Sequence, residues 1–208
     1  LEPPLKLSGL TAWSPDGWWG ISAHKRPDRD YDLYVVKADG STFMRVAERI
    51  PLSLFDNDRQ YVWANHGEWF IAESYSSKEY TLYQVNLQPS DPIQLTSAER
   101  SFDAFVLSPD SQKIYFSIGA ILYELNLVNN ETTTIVTFPS HNPTTRITHL
   151  QWTDTDELIV SVDTDHESYF IGENILVPAM IARNGFFWLR FENNIWTSQD
   201  HIELDPPR

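Results

Sequence analysis

Four times along the chain a short apolar run ends in the same kind of tight polar turn. Trp13 runs into Ser14-Pro15-Asp16-Gly17, Trp63 into Ala64-Asn65-His66-Gly67, Leu107 into Ser108-Pro109-Asp110-Ser111, and Trp152 into Thr153-Asp154-Thr155-Asp156. The turns start at residues 14, 64, 108 and 153, in steps of 50, 44 and 45. A fixed period of this size marks a repeat architecture, in which each unit buries its apolar face against the next. A repeat of about 45 residues holding several short strands reads as a propeller blade.

The first repeat gives strands at 10–13, 18–23, 31–37 and 42–46, punctuated by Pro15-Asp16-Gly17 and by the hairpin signal Asp39-Gly40. The second gives 60–63, 69–74, 80–87 and 93–96, and the third 102–107, 113–118, 120–127 and 132–138. The third strands share a signature, Leu33-Tyr34, Leu82-Tyr83 and Leu122-Tyr123, placed 14 to 19 residues after each turn. Three such pairs in phase fix the repeat. In the fourth, 147–152 and 158–162 are strands, 169–171 falls where the Leu-Tyr strand belongs, and 175–182 closes the sheet, with Pro178 requiring an edge or a bulge. Residues 186–191 then read as the first strand of a fifth blade, with Asn193-Asn194 as its turn and strands 195–198 and 201–204 after it.

The expected fold is therefore all-β, a β-propeller of four-stranded antiparallel blades, four to five in number. Its repeats run approximately 8–50, 51–98, 99–141 and 142–182, with half a blade from 183–208 plus 1–7. Half a blade suggests closure of the ring by pairing of the termini, Leu5-Lys6-Leu7 lying beside 202–204. The competing expectation is a partial propeller, a piece of a ring of six to eight blades, which needs about 270 residues or more. The first residue is Leu1, with no charged segment and apolar stretch after it, so a processed form or an excised piece is expected.

Composition narrows the partners. Acidic residues outnumber basic ones 29 to 15, a net charge of −14. No basic stripe is present to meet phosphates, which argues against nucleic acid and against docking on an anionic membrane. The acidic field favours a cationic partner patch. There is no cysteine, which removes disulfides, thiolate chemistry and Cys-based zinc sites. No stretch approaches the roughly 20 apolar residues that span a bilayer, so membrane insertion is not expected. Apolar residues make up 41% of the chain, with 8 Trp, 9 Tyr and 11 Phe, enough to bury a substantial core.

The first repeat resembles the TolB-like, WD-repeat-like propeller repeat of bacterial exported proteins, through Ser14-Pro15-Asp16-Gly17, Asp32-Leu33-Tyr34-Val35 and Asp39-Gly40. The third keeps Ser108-Pro109-Asp110 and Leu122-Tyr123, the second mainly the spacing and Leu82-Tyr83, and the fourth little; the resemblance covers about residues 8–165. It implies a propeller architecture and a periplasmic or extracellular location, with a cytoplasmic one still open. It also implies a role as a scaffold for other proteins or as the gate of a peptidase. The motif residues are turn formers and packing tyrosines, so the resemblance carries no catalytic residue.

The candidate chemistry is sparse. Asp28-Arg29-Asp30-Tyr31-Asp32 alternates carboxylates as a calcium loop would, but Leu33 and Asp39 stand where an EF-hand needs Gly and Glu. Calcium is thus the weaker reading, and a solvated loop with Asp32 capping the next strand the stronger. Asp56-Asn57-Asp58, Asp154-Thr155-Asp156 and Asp163-Thr164-Asp165-His166-Glu167 are turn chemistry first, and glycosidase carboxylates only if brought together. His24, His66, His141, His149, His166 and His201 show no i, i+4 zinc pair, and no Gly-x-Ser-x-Gly elbow or glycine-rich phosphate loop is present. Asn130-Glu131-Thr132 is a formal glycosylation sequon that reads as a turn. Trp13, Trp63 and Trp152 share one repeat position and are expected to pack between blades; Trp18, Trp19, Trp69, Trp188 and Trp196 are less regular.

The longer loops, 24–30, 49–59, 75–79, 97–101, 139–145 and 164–167, all join second to third strands or successive blades, and so belong to one face. Function gathers on loops held by a rigid scaffold. The candidate binding residues are His24, Arg26, Asp28, Asp30, Asp56, Asp58, Tyr75, Arg100, His141, Asp165 and His166. No catalytic, metal or cofactor-binding residue is assigned and no cofactor is expected. The expected function is a non-enzymatic module presenting these loops to a protein partner. The alternatives are a glycan-binding or glycoside-processing propeller, with carbohydrate as the ligand, or the gating propeller of a larger peptidase.

Overall fold

The computed structural model describes residues 8–27, 30–50, 61–88, 90–138, 145–153, 157–163, 185–192 and 195–203. Among them every regular element is a strand, and the chain divides into two compact units, Leu1–Arg100 and Ser101–Arg208. The first unit holds β1 (Ser8–Trp13), β2 (Trp19–Lys25), β3 (Tyr31–Lys37) and β4 (Phe43–Ile50), followed by β5 (Tyr61–Trp63), β6 (Trp69–Ser76), β7 (Glu79–Asn86) and β8 (Ile93–Ala98). The second holds β9 (Ala104–Leu107), β10 (Lys113–Ile118), β11 (Ile121–Asn126) and β12 (Glu131–Thr137), followed by β13 (Arg146–Trp152), β14 (Leu158–Asp163), β15 (Gly185–Glu192) and β16 (Ile195–Glu203). Each set of four forms one antiparallel sheet in chain order, a four-stranded blade.

Burial falls from the inner strands of a blade to its last. Five consecutive residues of β3, Tyr31 to Val35, are buried, with Tyr31, Leu33 and Val35 on the core face. By contrast the first four residues of β12, Glu131 to Thr134, are exposed, and the polar Thr run suits that outer edge. The core lies between blades. In the first unit Ile21, Leu33, Val35 and Val46 of the first blade join Tyr61, Trp63, Phe70 and Val85 of the second. In the second unit Tyr115, Leu122 and Val136 of its first blade meet Ile147, Leu150, Leu158 and Val160 of the next. The leucine of each Leu-Tyr signature, Leu33, Leu82 and Leu122, is fully buried. Each contributes about 1.5–3 kcal/mol by leaving water.

The recurring turn is built by side chains as well as backbone. In the first blade the Ser14 amide donates to the Trp19 carbonyl (2.7 Å) and the Gly17 amide to the Ser14 carbonyl (2.8 Å). The Ser14 hydroxyl donates to Asp16 Oδ1 (2.5 Å) and accepts from the Trp19 amide (2.9 Å). Asp16 Oδ1 also accepts from the Trp18 amide (3.0 Å). Ser108 and Asp110 repeat every one of these bonds, with Gln112 and Lys113 as the amide donors. Gly17 sits at φ 72°, and Ser111 takes the same left-handed conformation at φ 56° without glycine. The second blade keeps only the backbone pattern, Ala64 to Trp69 and Gly67 to Ala64.

Three expectations change. Residues 186–191 do not open a fifth blade: β15 pairs with β14 and β16, so both strands complete the fourth sheet. The pairing is antiparallel, with Leu158 opposite Leu189 and Val162 opposite Gly185. The strands expected at 169–171 and 175–182 and the terminal pairing through Leu5-Lys6-Leu7 lie outside the described residues. Second, 75–79 is not a long loop. Strands β6 and β7 run almost into each other, Ser76 opposite Glu79, across a two-residue turn. Ser77 (φ 54°) and Lys78 (φ 72°) both adopt positive φ, the geometry that suits the twist of a hairpin. Third, the three equivalent tryptophans differ. Trp63 is buried 5.0 Å from the Phe70 ring, and Trp152 packs edge-on to Tyr115 at 5.3 Å across two blades. Trp13 is 49% exposed. Neighbours on a strand point to opposite faces. Ala12 packs on the core between the first two blades, which turns Trp13 to the face that no other blade of its unit covers.

Candidate binding surface

The β2–β3 end of the first blade gathers most of the described candidates. His24 lies on β2 itself, opposite Asp32, rather than in the loop. The loop is closed by the Arg26 amide donating to the Asp30 carbonyl (2.8 Å). The Arg26 guanidinium then turns onto Asp32, with Nη1 3.0 Å from each carboxylate oxygen, and reaches Glu48 Oε1 at 3.2 Å. Asp32 is buried, and its Oδ1 also accepts from the Arg49 amide (3.1 Å). That amide is presented by an irregularity in the β3–β4 ladder, where Arg49 stands at φ 56°. Arg45 adds a second guanidinium, 3.7 Å from Asp32 Oδ2 and 3.4 Å from Glu48 Oε2.

Asp32 is therefore not a cap on its own strand. It ties β2 to the bulged end of β4 through two arginines and an amide. A buried carboxylate needs such partners, since desolvating an unpaired charge costs several kcal/mol, about as much as a small domain can spare. Among the described residues no group of three or more His, Asp or Glu is placed to hold a metal.

The second blade supplies Tyr75 and Arg100. Tyr75 lies on β6 and packs on Tyr80, ring centroids 4.4 Å apart, while Arg100 is exposed beyond β8. Beside them the Ser97 hydroxyl donates to Glu79 Oε1 (2.6 Å). The structure thus brings His24, Arg26 and Asp30 together on one hairpin and places Tyr75 and Arg100 on the next blade. Asp28, Asp56, Asp58, His141, Asp165 and His166 lie outside the described residues.

Sequence reasoning passed over the opposite end of the blades. The exposed large apolar residues described are Trp13, Trp18, Phe43, Ile93 and Val128. Each stands at the tight-turn end of its own blade, in or beside a turn joining first to second or third to fourth strands. Trp18 is 53% exposed, and the Lys37 ammonium sits 5.7 Å from its ring centroid. Phe43 stacks on Tyr34 at 4.7 Å. The available signal was a tryptophan placed directly after Pro-Asp-Gly, where a turn leaves little to pack against. At the same end Asp16 and Asp39 are held below the usual carboxylate range, Asp16 by the Ser14 hydroxyl and the Trp18 amide and Asp39 by Ser41. In the second unit burial and Glu124 push the Tyr115 hydroxyl up, so it stays a donor, at 2.6 Å, to a carboxylate that Lys113 also holds at 2.9 Å.

No protein-family model matches the sequence, and no curated protein matches it. Solved structures do. The chain aligns with the protein assigned as TolB in Agrobacterium tumefaciens at a TM-score of 0.60 and 13% identity, over 94% of this chain and 66% of that one. The chain folds as a TolB-like β-propeller. Tricorn protease matches at a TM-score of 0.60 and 9% identity, over 91% of this chain and 18% of the protease. A prolyl endopeptidase matches at 0.57 and 15%, over 91% and 28%. The propeller fold is shared by all three. This chain spans less than two thirds of each, and what those whole proteins do passes to it only as a proposal.

Proposed function

We propose that this TolB-like chain is a non-enzymatic propeller module that holds one end of its blades against a protein partner. The observation that carries the reading is the pinned β2–β3 hairpin, where Asp32 fixes Arg26 from both carboxylate oxygens. A loop set in this way presents its side chains with little further ordering, which lowers the cost of binding. A periplasmic or extracellular setting belongs to the same proposal and rests on the TolB-like resemblance. A photo-crosslinking residue replacing the exposed Lys25 tests it in an extract of the source cells. The expected outcome is one discrete cross-linked protein, lost when Arg26→Ala frees the hairpin. Cross-linking to carbohydrate alone would move the reading to the glycan-binding class.

The likeness to the propellers of tricorn and prolyl endopeptidase supports a second reading, a gate for a peptidase. It predicts that the Lys25 cross-link, or the chain's own continuation, leads to a hydrolase domain. Cleavage of a long and a short peptide by that hydrolase, with and without this module, would separate a gate from a scaffold. Only a gate suppresses the long substrate selectively.

A further inference from the structure

We infer that the tight-turn end of the first unit is a docking surface for a cationic, partly apolar peptide segment of a partner protein, seated on the Trp18 ring. This rests on the binding-module reading above, but places the contact at the opposite end of the blades from Arg26. Three observations lead there. Trp13, Trp18, Phe43 and Ile93 are the exposed large apolar side chains described in this unit, and all stand at this one end. Exposed apolar side chains confined to one end set that end apart from a surface on which they are scattered singly.

The end is also rigid. The Ala38 amide donates to the Trp18 carbonyl (2.8 Å) and the Leu87 amide to the Glu68 carbonyl (3.0 Å), so in both blades the two turns are tied together. Gly67 of the second turn lies against the first, within 3.5 Å of Ser14 Cβ when a Cβ is built on it. A backbone held this way loses little freedom on binding.

The chemistry of the occupant follows from charge. The turns at this end carry Asp16, Asp39, Glu68 and Asp91, all exposed, against the single described cation Lys37. Lys37 already demonstrates the contact, its ammonium lying over Trp18 and 3.9 Å from Asp39. A tryptophan face flanked by carboxylates attracts an arginine or lysine of a partner in the same manner. A second copy of the chain, at net charge −14, and an anionic lipid surface are both repelled.

A fluorescent ten-residue peptide alternating arginine and leucine is the probe, with an alternating glutamate and leucine peptide as its control, read by anisotropy on the full chain. The basic peptide is expected to bind and the acidic one not. Trp18→Ala should weaken binding about tenfold. Lys37→Gln, which vacates the ring face, should tighten it about threefold. Ser76→Ala, exposed at the far end of the second blade, should leave it unchanged, and near-UV circular dichroism checks that each variant is folded. The surface is overturned if the basic peptide does not bind, if Trp18→Ala binds it as the parent does, or if the acidic peptide binds as well. It is equally overturned if neutral-lipid vesicles or self-association compete it away. Should the surface fail while the Lys25 cross-link still captures a protein, only this location is wrong; if both fail, the binding-module reading falls too.

Discussion

The first and second blades reach the same four-stranded sheet by unequal means. The first clamps its turn with Ser14 and Asp16 and ties its β2–β3 end with Asp32, Arg26 and Arg45. The second has Ala64 and His66 where Ser14 and Asp16 would be, and closes β6 onto β7 through a bare two-residue turn. Both bury the same leucine completely. What the repeat requires, then, is the buried leucine and the backbone bonds of the turn. The side-chain clamps are additions that stiffen one blade's ends, and these are the ends where both proposed contacts lie.

The largest effect should come from what the two blades share. Leu33→Ala and Leu82→Ala each remove a fully buried side chain. Each is expected to cost about 3 kcal/mol, read as a lower urea midpoint. Similar losses would support leucine as the common requirement. A loss confined to Leu33 would mean that the clamped blade alone holds the unit together.

Next comes what distinguishes them. Ser14→Ala gives the first turn the residue that the second carries at that place, and strands the Trp19 amide that the hydroxyl accepted. The expected cost is about 1.5 kcal/mol, with the hairpin still formed because the backbone bonds of Ala64 and Gly67 suffice in the second blade. Loss of the first blade's amide protection on hydrogen exchange would show instead that the clamp is indispensable.

The contrast also shows why some of this was readable in the sequence. Ser14-Pro15-Asp16-Gly17 acts within five residues, and Leu33-Tyr34 needs only its place in the period, so both were legible. The end of β6 was not, because Ser77-Lys78 takes positive φ without the Asn-Gly signal. Nor was the role of Asp32, whose partners lie 6 and 17 residues away, across a bulge. The place of β15 depends on β14 pairing beyond residues 164–184, and no local pattern encodes that choice. Trp13 has the same local sequence position as Trp63; only the order of the blades separates a half-exposed ring from a buried one.

That missing signal gives a smaller test. Lys78 holds φ 72°, where a Cβ is disfavoured. Lys78→Gly should stabilise the second blade by roughly 0.5 kcal/mol, the relief of strain exceeding the entropy that glycine brings to the unfolded chain. A fall in the thermal midpoint would mean that the lysine side chain makes a contact worth more than the strain.

The finest distinction between the blades is their response to acid. Ser14 first, and the Trp18 amide second, hold the Asp16 carboxyl below its ordinary value of 3.8; Ser108 does the same for Asp110, against the opposing effect of burial. A carboxylate lowered in the folded state adds stability above its unfolded value, and that addition is lost as the pH falls through the lowered one. The Trp18 and Gln112 amides, which donate to these carboxylates, should therefore keep their NMR shifts down to the ordinary carboxylate range and move only below it. The Trp69 amide, in a turn with no carboxylate at the matching place, should not follow them. Ser14→Ala should raise the midpoint seen at Trp18 toward the ordinary value and leave that at Gln112 where it was. A midpoint that ignores the substitution would assign the lowering to the general field of the turn, and the hydroxyl would then be a packing group rather than the clamp.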